Sequence, residues 1–167
     1  MNDGLMCECR MSLAWRESAP DPAARQAMVR EAALLLAAIN QMESGHEVET
    51  NAESRRLDRL EAKLDLALHL LARALEPEAP SVASRVWLGA EALHWEDTQP
   101  PDAGTPLVLA LRPSEALPLT LKLPAVAQAP GPGLAKAMLT GVSEALGDAL
   151  VQFVFRRHRQ AIRARSG

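Results

Sequence analysis

Tyrosine is missing from this 167-residue chain, and phenylalanine and tryptophan together supply only 3% of it. Proteins that hold single-stranded nucleic acid usually stack its bases on aromatic side chains, so no nucleic-acid partner is expected. No run approaches the roughly 18 consecutive apolar residues of a membrane-spanning helix, and early acidic residues argue against a signal peptide. A cytoplasmic protein without a membrane span is therefore expected. The only cysteines, Cys7 and Cys9, are too few for a secreted disulfide framework, and a bond between such near neighbours would strain the backbone. Both are read as reduced, buried small hydrophobes rather than as a thiolate metal site. The histidines His46, His69, His94 and His158 are far apart and complete no ligand pattern. There is no G-x-S-x-G, no H-E-x-x-H and no phosphate-cradling glycine loop, so neither an enzyme nor a cofactor is expected.

What the chain does have is apolar content, 48% of its residues. That is enough for one core, and the length fits a single domain, 1–167, with appended elements. Leu5, Cys7, Cys9, Met11, Leu13 and Trp15 alternate with more polar residues, the period of a half-buried strand. Asp21 followed by Pro22 provides an N-cap and a first-turn proline, which predicts a helix from about Pro22 to about Met42. Its buried face is read as Met28, Ala32, Leu35, Ile39 and Met42. The polar run that follows contains Gly45, where a break or fraying point is placed, a continuous helix remaining the alternative.

From Glu53 to Leu75 the chain carries neither Gly nor Pro and is rich in Leu, Ala, Glu, Arg and Lys, so it reads as a strong helix ended by Pro77 and Pro80. In heptad terms Leu57, Leu64 and Leu71 share one seam position, and Leu60, Ala67 and Ala74 share the other. Further leucines at 66, 68, 70 and 75 widen the apolar surface beyond the stripe of about 100° that one helix needs to lie on its own domain. The surplus predicts a homo-oligomer, with a tetramer favoured over a dimer.

After the proline-rich stop come strand-like segments at Val86 to Trp95, Pro106 to Leu111, Leu117 to Leu123 and Leu134 to Leu139, separated by Pro- and Gly-bearing turns. They predict an antiparallel meander or small barrel. A closing helix is placed from about Ser143 to Ala164, with Leu146, Leu150, Phe153, Val154 and Ile162 inward. The first strand has no sequence neighbour to pair with, so it must pair with a strand beyond the helices. The expected fold is α+β: a small antiparallel barrel whose strands at 82–141 join the first strand, a helical insertion at 17–81, and a C-terminal helix at 142–167.

The segment Val86-Trp-Leu-Gly-Ala-Glu-Ala-Leu-His-Trp95, the segment Ala103-Gly-Thr-Pro-Leu-Val-Leu-Ala-Leu111 and the terminal Phe153-Val-Phe-Arg-Arg-His-Arg-Gln-Ala-Ile162 resemble the PilZ domain family in its atypical, helix-inserted branch. The resemblance covers most of the chain and implies a β-barrel linked to the bacterial second messenger cyclic di-GMP. Binding members carry an R-x-x-x-R pair before the barrel and a D/N-x-S-x-x-G motif on an early strand, where arginine forks grip phosphate and stack on guanine. The strand motif falls here on Trp87, Gly89 and Ala92, so none of its positions is retained. The Arg55/Arg59 spacing lies within the leucine-rich helix and reads as a solvated face.

Arg156, Arg157, Arg159, Arg163 and Arg165 follow one another with no acid between them. They read either as a basic helix end that suits the helix dipole or, with His158, as a docking patch for an acidic protein partner. Exposed charges there are expected to tolerate reversal without loss of fold. The resemblance and the residues together imply a non-catalytic signalling or adaptor protein in cyclic di-GMP-linked control of motility or virulence, binding the nucleotide weakly or not at all. A direct receptor with a non-standard site is the alternative.

Overall fold

A computed structural model describes residues 6–44, 57, 60, 64, 67, 68, 71, 83–115 and 119–166. The described elements run β1 (Cys7–Glu17), α1 (Pro22–Ser44), β2 (Ala83–Leu88), β3 (Ala92–Glu96), β4 (Pro106–Arg112), β5 (Leu121–Ala127), β6 (Leu134–Leu139) and α2 (Glu144–Ser166). The predicted break at Gly45 lies outside the described residues.

The strands close into an antiparallel barrel in the order β1-β2-β3-β6-β5-β4, and the fold is the α+β barrel expected from the sequence. It is not a meander, because β6 inserts beside β3 and leaves β4 to meet β1. β1 is the closing piece. Its first half pairs with β2, Cys7 opposite Leu88 through Ser12 opposite Ala83, and its second half pairs with β4, Ser12 opposite Arg112 through Glu17 opposite Leu107. Alternation puts Cys7, Met11 and Leu13 inside, in one core with the inward leucines of β4 and β5, and closure leaves no open sheet edge for unwanted pairing.

Two of the predicted strands are corrected. Val86 to Trp95 is not one strand but a hairpin, β2 to β3, closed by the Gly89 N–H donating to the Ala92 carbonyl at 2.9 Å. The strict leucine alternation from Leu117 places the next strand four residues early, since β5 begins at Leu121. Its register is set by its two partners, Leu121 opposite Leu111 and Ala125 opposite Leu139. Pro124 lies inside it, and its carbonyl accepts the Thr140 N–H at 2.9 Å. The β5–β6 turn is tight: Gly131 and Leu134 exchange hydrogen bonds, with Pro132 and Gly133 between them. Gly133 has a φ of 65°, the left-handed conformation that a Pro-Gly turn of this type requires.

Asp21 caps α1, its Oδ1 accepting the Ala24 N–H at 2.8 Å, and Ser143 caps α2 through the Leu146 N–H at 3.2 Å. Helix α1 packs against both β5 and α2. Its fully buried side chains are Val29, Ala32, Ala33, Leu36 and Ile39, so the stripe is rotated from the predicted one, and Met28, Leu35 and Met42 are only partly covered. Contact with two neighbours explains the wider face. In α2, Leu146, Leu150, Phe153 and Val154 are buried as predicted, but Ile162 remains half exposed, as do the other described side chains of the last turns.

One polar clasp ties β1 to β3 across β2. The indole N–H groups of Trp15 and Trp95 both donate to Asp97 Oδ2, at 2.8 and 3.1 Å, and the Gln99 backbone N–H donates to Oδ1 at 2.9 Å. Burial by itself would raise the Asp97 carboxyl, but these three donors outweigh it and hold the group below its ordinary 3.8. A carboxylate depressed on folding stabilises the fold above its ordinary value, and that contribution is lost as pH falls through the depressed one. Asp97→Asn should therefore be less stable than the wild type near neutral pH, and urea unfolding across a pH series should show the gap narrowing below about pH 4.

Candidate functional site

The three positions expected to correspond to the nucleotide motif lie on the β2–β3 hairpin. Trp87 sits half-buried opposite His94 and Glu8, and Ala92 lies opposite Met138. Gly89 supplies the bend, with its N–H committed to Ala92. None of these residues brings a carboxylate, amide or hydroxyl with which to bind a guanine or a phosphate. Arg55 and Arg59 lie outside the described residues.

The arginines at 156 and 157 are placed very differently from a loose basic tail. Both guanidinium groups reach back to the end of α1. Arg156 meets Glu43 at 2.7 Å and donates to the Asn40 carbonyl at 3.0 Å, while Arg157 meets the other Glu43 oxygen at 3.2 Å and donates to the Pro113 carbonyl at 2.8 Å. Their guanidinium carbons lie 5.4 and 5.1 Å from the centroid of the Phe153 ring, within cation–π range. Asn40 adds a second strut by donating to the Ala149 carbonyl at 2.9 Å. Burial lowers the Arg156 guanidinium from its usual range, an effect that Glu43 opposes, and it stays charged. The expectation that both arginines are freely exposed is thus corrected: they lock α1, α2 and the end of β4 together. His158 and Arg159, one step further on, are exposed.

Beside this clasp opens a cleft of about 380 Å³ lined by Glu8, Cys9, Arg10, Glu43, Arg112, Pro113, Ser114, Glu115 and Arg157. Three acids face three bases in it, so it is not the cationic cradle that a nucleotide phosphate requires. Cys9 lines it, and the Cys7 sulfur lies behind, buried in the core and 3.3 Å from the Cys9 sulfur. That contact lowers the Cys7 thiol despite burial and raises Cys9. Among the described residues no cluster of three or more His, Cys, Asp or Glu side chains could hold a metal ion.

The heptad positions form the other candidate surface. Leu57, Leu60, Leu64, Ala67 and Leu71 are all helical and all exposed, the four leucines between 56 and 60%. Ala74 lies outside the described residues. Both seams of the sequence pattern therefore present apolar side chains that this chain's own barrel does not cover.

A closed six-stranded antiparallel barrel, entered by a strand that precedes a helical segment and closed by a C-terminal helix, defines a PilZ-type domain. Residues 33–166 match the profile of the atypical PilZ domain, cyclic di-GMP receptor, and the chain belongs to that family. A solved structure of a pathogenic protein from Xanthomonas campestris, described as a new tetrameric PilZ domain self-assembled via an unusual helical bundle, superposes with a TM-score of 0.77. It is 25% identical, over 97% of this chain and 92% of that one. No curated protein matches the sequence.

Breaking a buried ion pair by removing one partner costs about 3 to 5 kcal/mol, and less where water still reaches it. With Arg156 and Glu43 side chains 11% and 20% exposed, Glu43→Gln should lower stability by about 2 to 3 kcal/mol in urea unfolding. Reversal of both Arg156 and Arg157 to Glu should abolish cooperative unfolding, an outcome that circular dichroism reads directly.

Proposed function

We propose that the chain is a non-catalytic signalling or adaptor protein of the cytoplasm in cyclic di-GMP-linked regulation, acting through protein contacts and assembled as a homotetramer through its leucine-rich helix. The observation that carries the assembly is the row Leu57, Leu60, Leu64 and Leu71, each more than half exposed in the single chain. Fully covering a leucine side chain contributes about 1.5 to 3 kcal/mol, so association of this face is strongly driven. The helical bundle of the Xanthomonas campestris tetramer supports the same geometry for this chain. Leucine at one seam and alanine at part of the other allow more than two helices to approach.

The motif positions are a hairpin turn of Trp87, Gly89 and Ala92, and the adjoining cleft balances its arginines with glutamates, which supports regulation without direct nucleotide binding by the family motif. The family's description as a cyclic di-GMP receptor favours a second reading, direct binding at a non-standard site. Control of motility or virulence through an acidic protein partner would use the exposed His158 and Arg159, since Arg156 and Arg157 are occupied within the chain.

Two measurements test this. Light scattering should give a tetramer for the wild type, and Leu64→Asp with Leu71→Asp should release monomers by placing charges in the bundle core; a wild-type monomer at working concentration would refute self-assembly. Calorimetric titration with cyclic di-GMP in low salt should show no saturable binding at micromolar concentrations, and a salt-sensitive isotherm there would instead favour the receptor reading.

A further inference from the structure

Cys7 and Cys9 are the only thiols in the chain, and neither the clasp nor the leucine face uses them. Two residues apart on β1, they fall on the same side of the strand. Their sulfurs lie 3.3 Å apart, in a contact where either atom can hold the proton. Cys7 is 3% exposed. Cys9 is partly exposed and lines the cleft that also holds the Arg157 guanidinium. Inert cysteines are buried singly in apolar surroundings, whereas reactive ones are partly accessible and close to positive charge. This pair has the second setting: one sulfur lines a cleft, the other is in contact behind it, and the Arg157 guanidinium, paired with Glu43, lines the same cleft.

We propose that Cys7 and Cys9 form a redox-active dithiol that a hydroperoxide closes to an intrastrand disulfide. One sulfur, as thiolate, attacks the outer peroxide oxygen, giving a sulfenic acid and expelling hydroxide or alkoxide, which takes up a proton. The second sulfur loses its proton and attacks the sulfenic sulfur, forming the S–S bond and releasing hydroxide, which that proton converts to water. Two thiols and one hydroperoxide thus become one disulfide, one water and one further water or alcohol. The two sulfurs supply both electrons.

The backbone makes the bond reversible. Two residues of extended strand separate the Cα atoms by roughly 6.8 Å, the far limit of about 6.8 Å that a disulfide spans. The ring therefore closes under strain, and strained disulfides are the readily reduced, regulatory kind. The contraction falls on the first rungs of the β1–β2 ladder, Cys7 opposite Leu88 and Cys9 opposite Val86. Between them Glu8 points outward to Arg85 at 3.3 Å. Oxidation would pull this end of β1 inward and shift the Cys9 side of the cleft next to Arg157.

The test is intact-mass spectrometry and thiol alkylation of the full chain before and after hydrogen peroxide, followed by dithiothreitol. The wild type should lose two hydrogens and both alkylatable thiols together, then recover both on reduction. Cys7→Ser and Cys9→Ser should each show no two-hydrogen loss and should gain oxygen or peroxide-dependent adducts at the remaining sulfur. A wild-type chain that keeps both thiols, gains oxygen irreversibly or crosslinks between chains overturns the proposal. The wild-type measurement decides the matter even if a serine variant folds poorly, and none of it depends on the oligomeric state or on cyclic di-GMP.

Discussion

The structure depends on how one strand divides its hydrogen bonds. Strand β1 gives its first half to β2 and its second half to β4, with Ser12 paired to both. Without it those two strands would present open edges, which in water invite pairing with other chains. Because β1 comes first in sequence and its partners lie beyond α1, the contact is long-range, and the loop-closure cost of bringing the ends together must be met by what the barrel buries. The Trp15 and Trp95 indoles on Asp97 give the closed seam a directional restraint in addition to apolar burial.

The helices are attached to this barrel in two ways. Apolar faces of α1 and α2 supply the burial, through Leu36, Ile39, Leu150 and Phe153. Glu43, Asn40, Arg156 and Arg157 then set the geometry. Apolar packing is tolerant of small displacements, whereas a carboxylate shared by two guanidinium groups is not. Arg156 donates to the Asn40 carbonyl and pairs with Glu43, and Arg157 donates to Glu43 and the Pro113 carbonyl, so both are engaged within their own chain.

The barrel frame and the β2–β3 turn place separate demands on the sequence. Strand pairing needs only backbone groups and alternating apolar side chains, so Trp87, Gly89 and Ala92 can occupy the hairpin without disturbing the closure. The leucine face differs, since Leu57, Leu60, Leu64 and Leu71 stay more than half exposed in the single chain.

Much of this architecture was legible from local pattern. The alternation in β1, the Asp21-Pro22 helix start, the turn residues and the apolar stripe of α2 each reflect a constraint within a few residues of itself, as does the heptad spacing of Leu57, Leu60, Leu64 and Leu71. What pattern could not supply was anything decided by partners distant in sequence. The alternating leucines before Leu121 mimic a strand, yet β5 takes its register from β4 and β6. Arg156 and Arg157 look like any basic helix end until Glu43 and the Pro113 carbonyl are brought against them. Cys7 and Cys9 look like core fillers until the cleft beside Arg157 exposes one of the pair. Periodicity by itself determined which residues belong in strands, helices and seams, because it follows from backbone geometry. Only the tertiary structure decided which charges are buried and which thiols are accessible, because those properties depend on the long-range packing that surrounds a side chain.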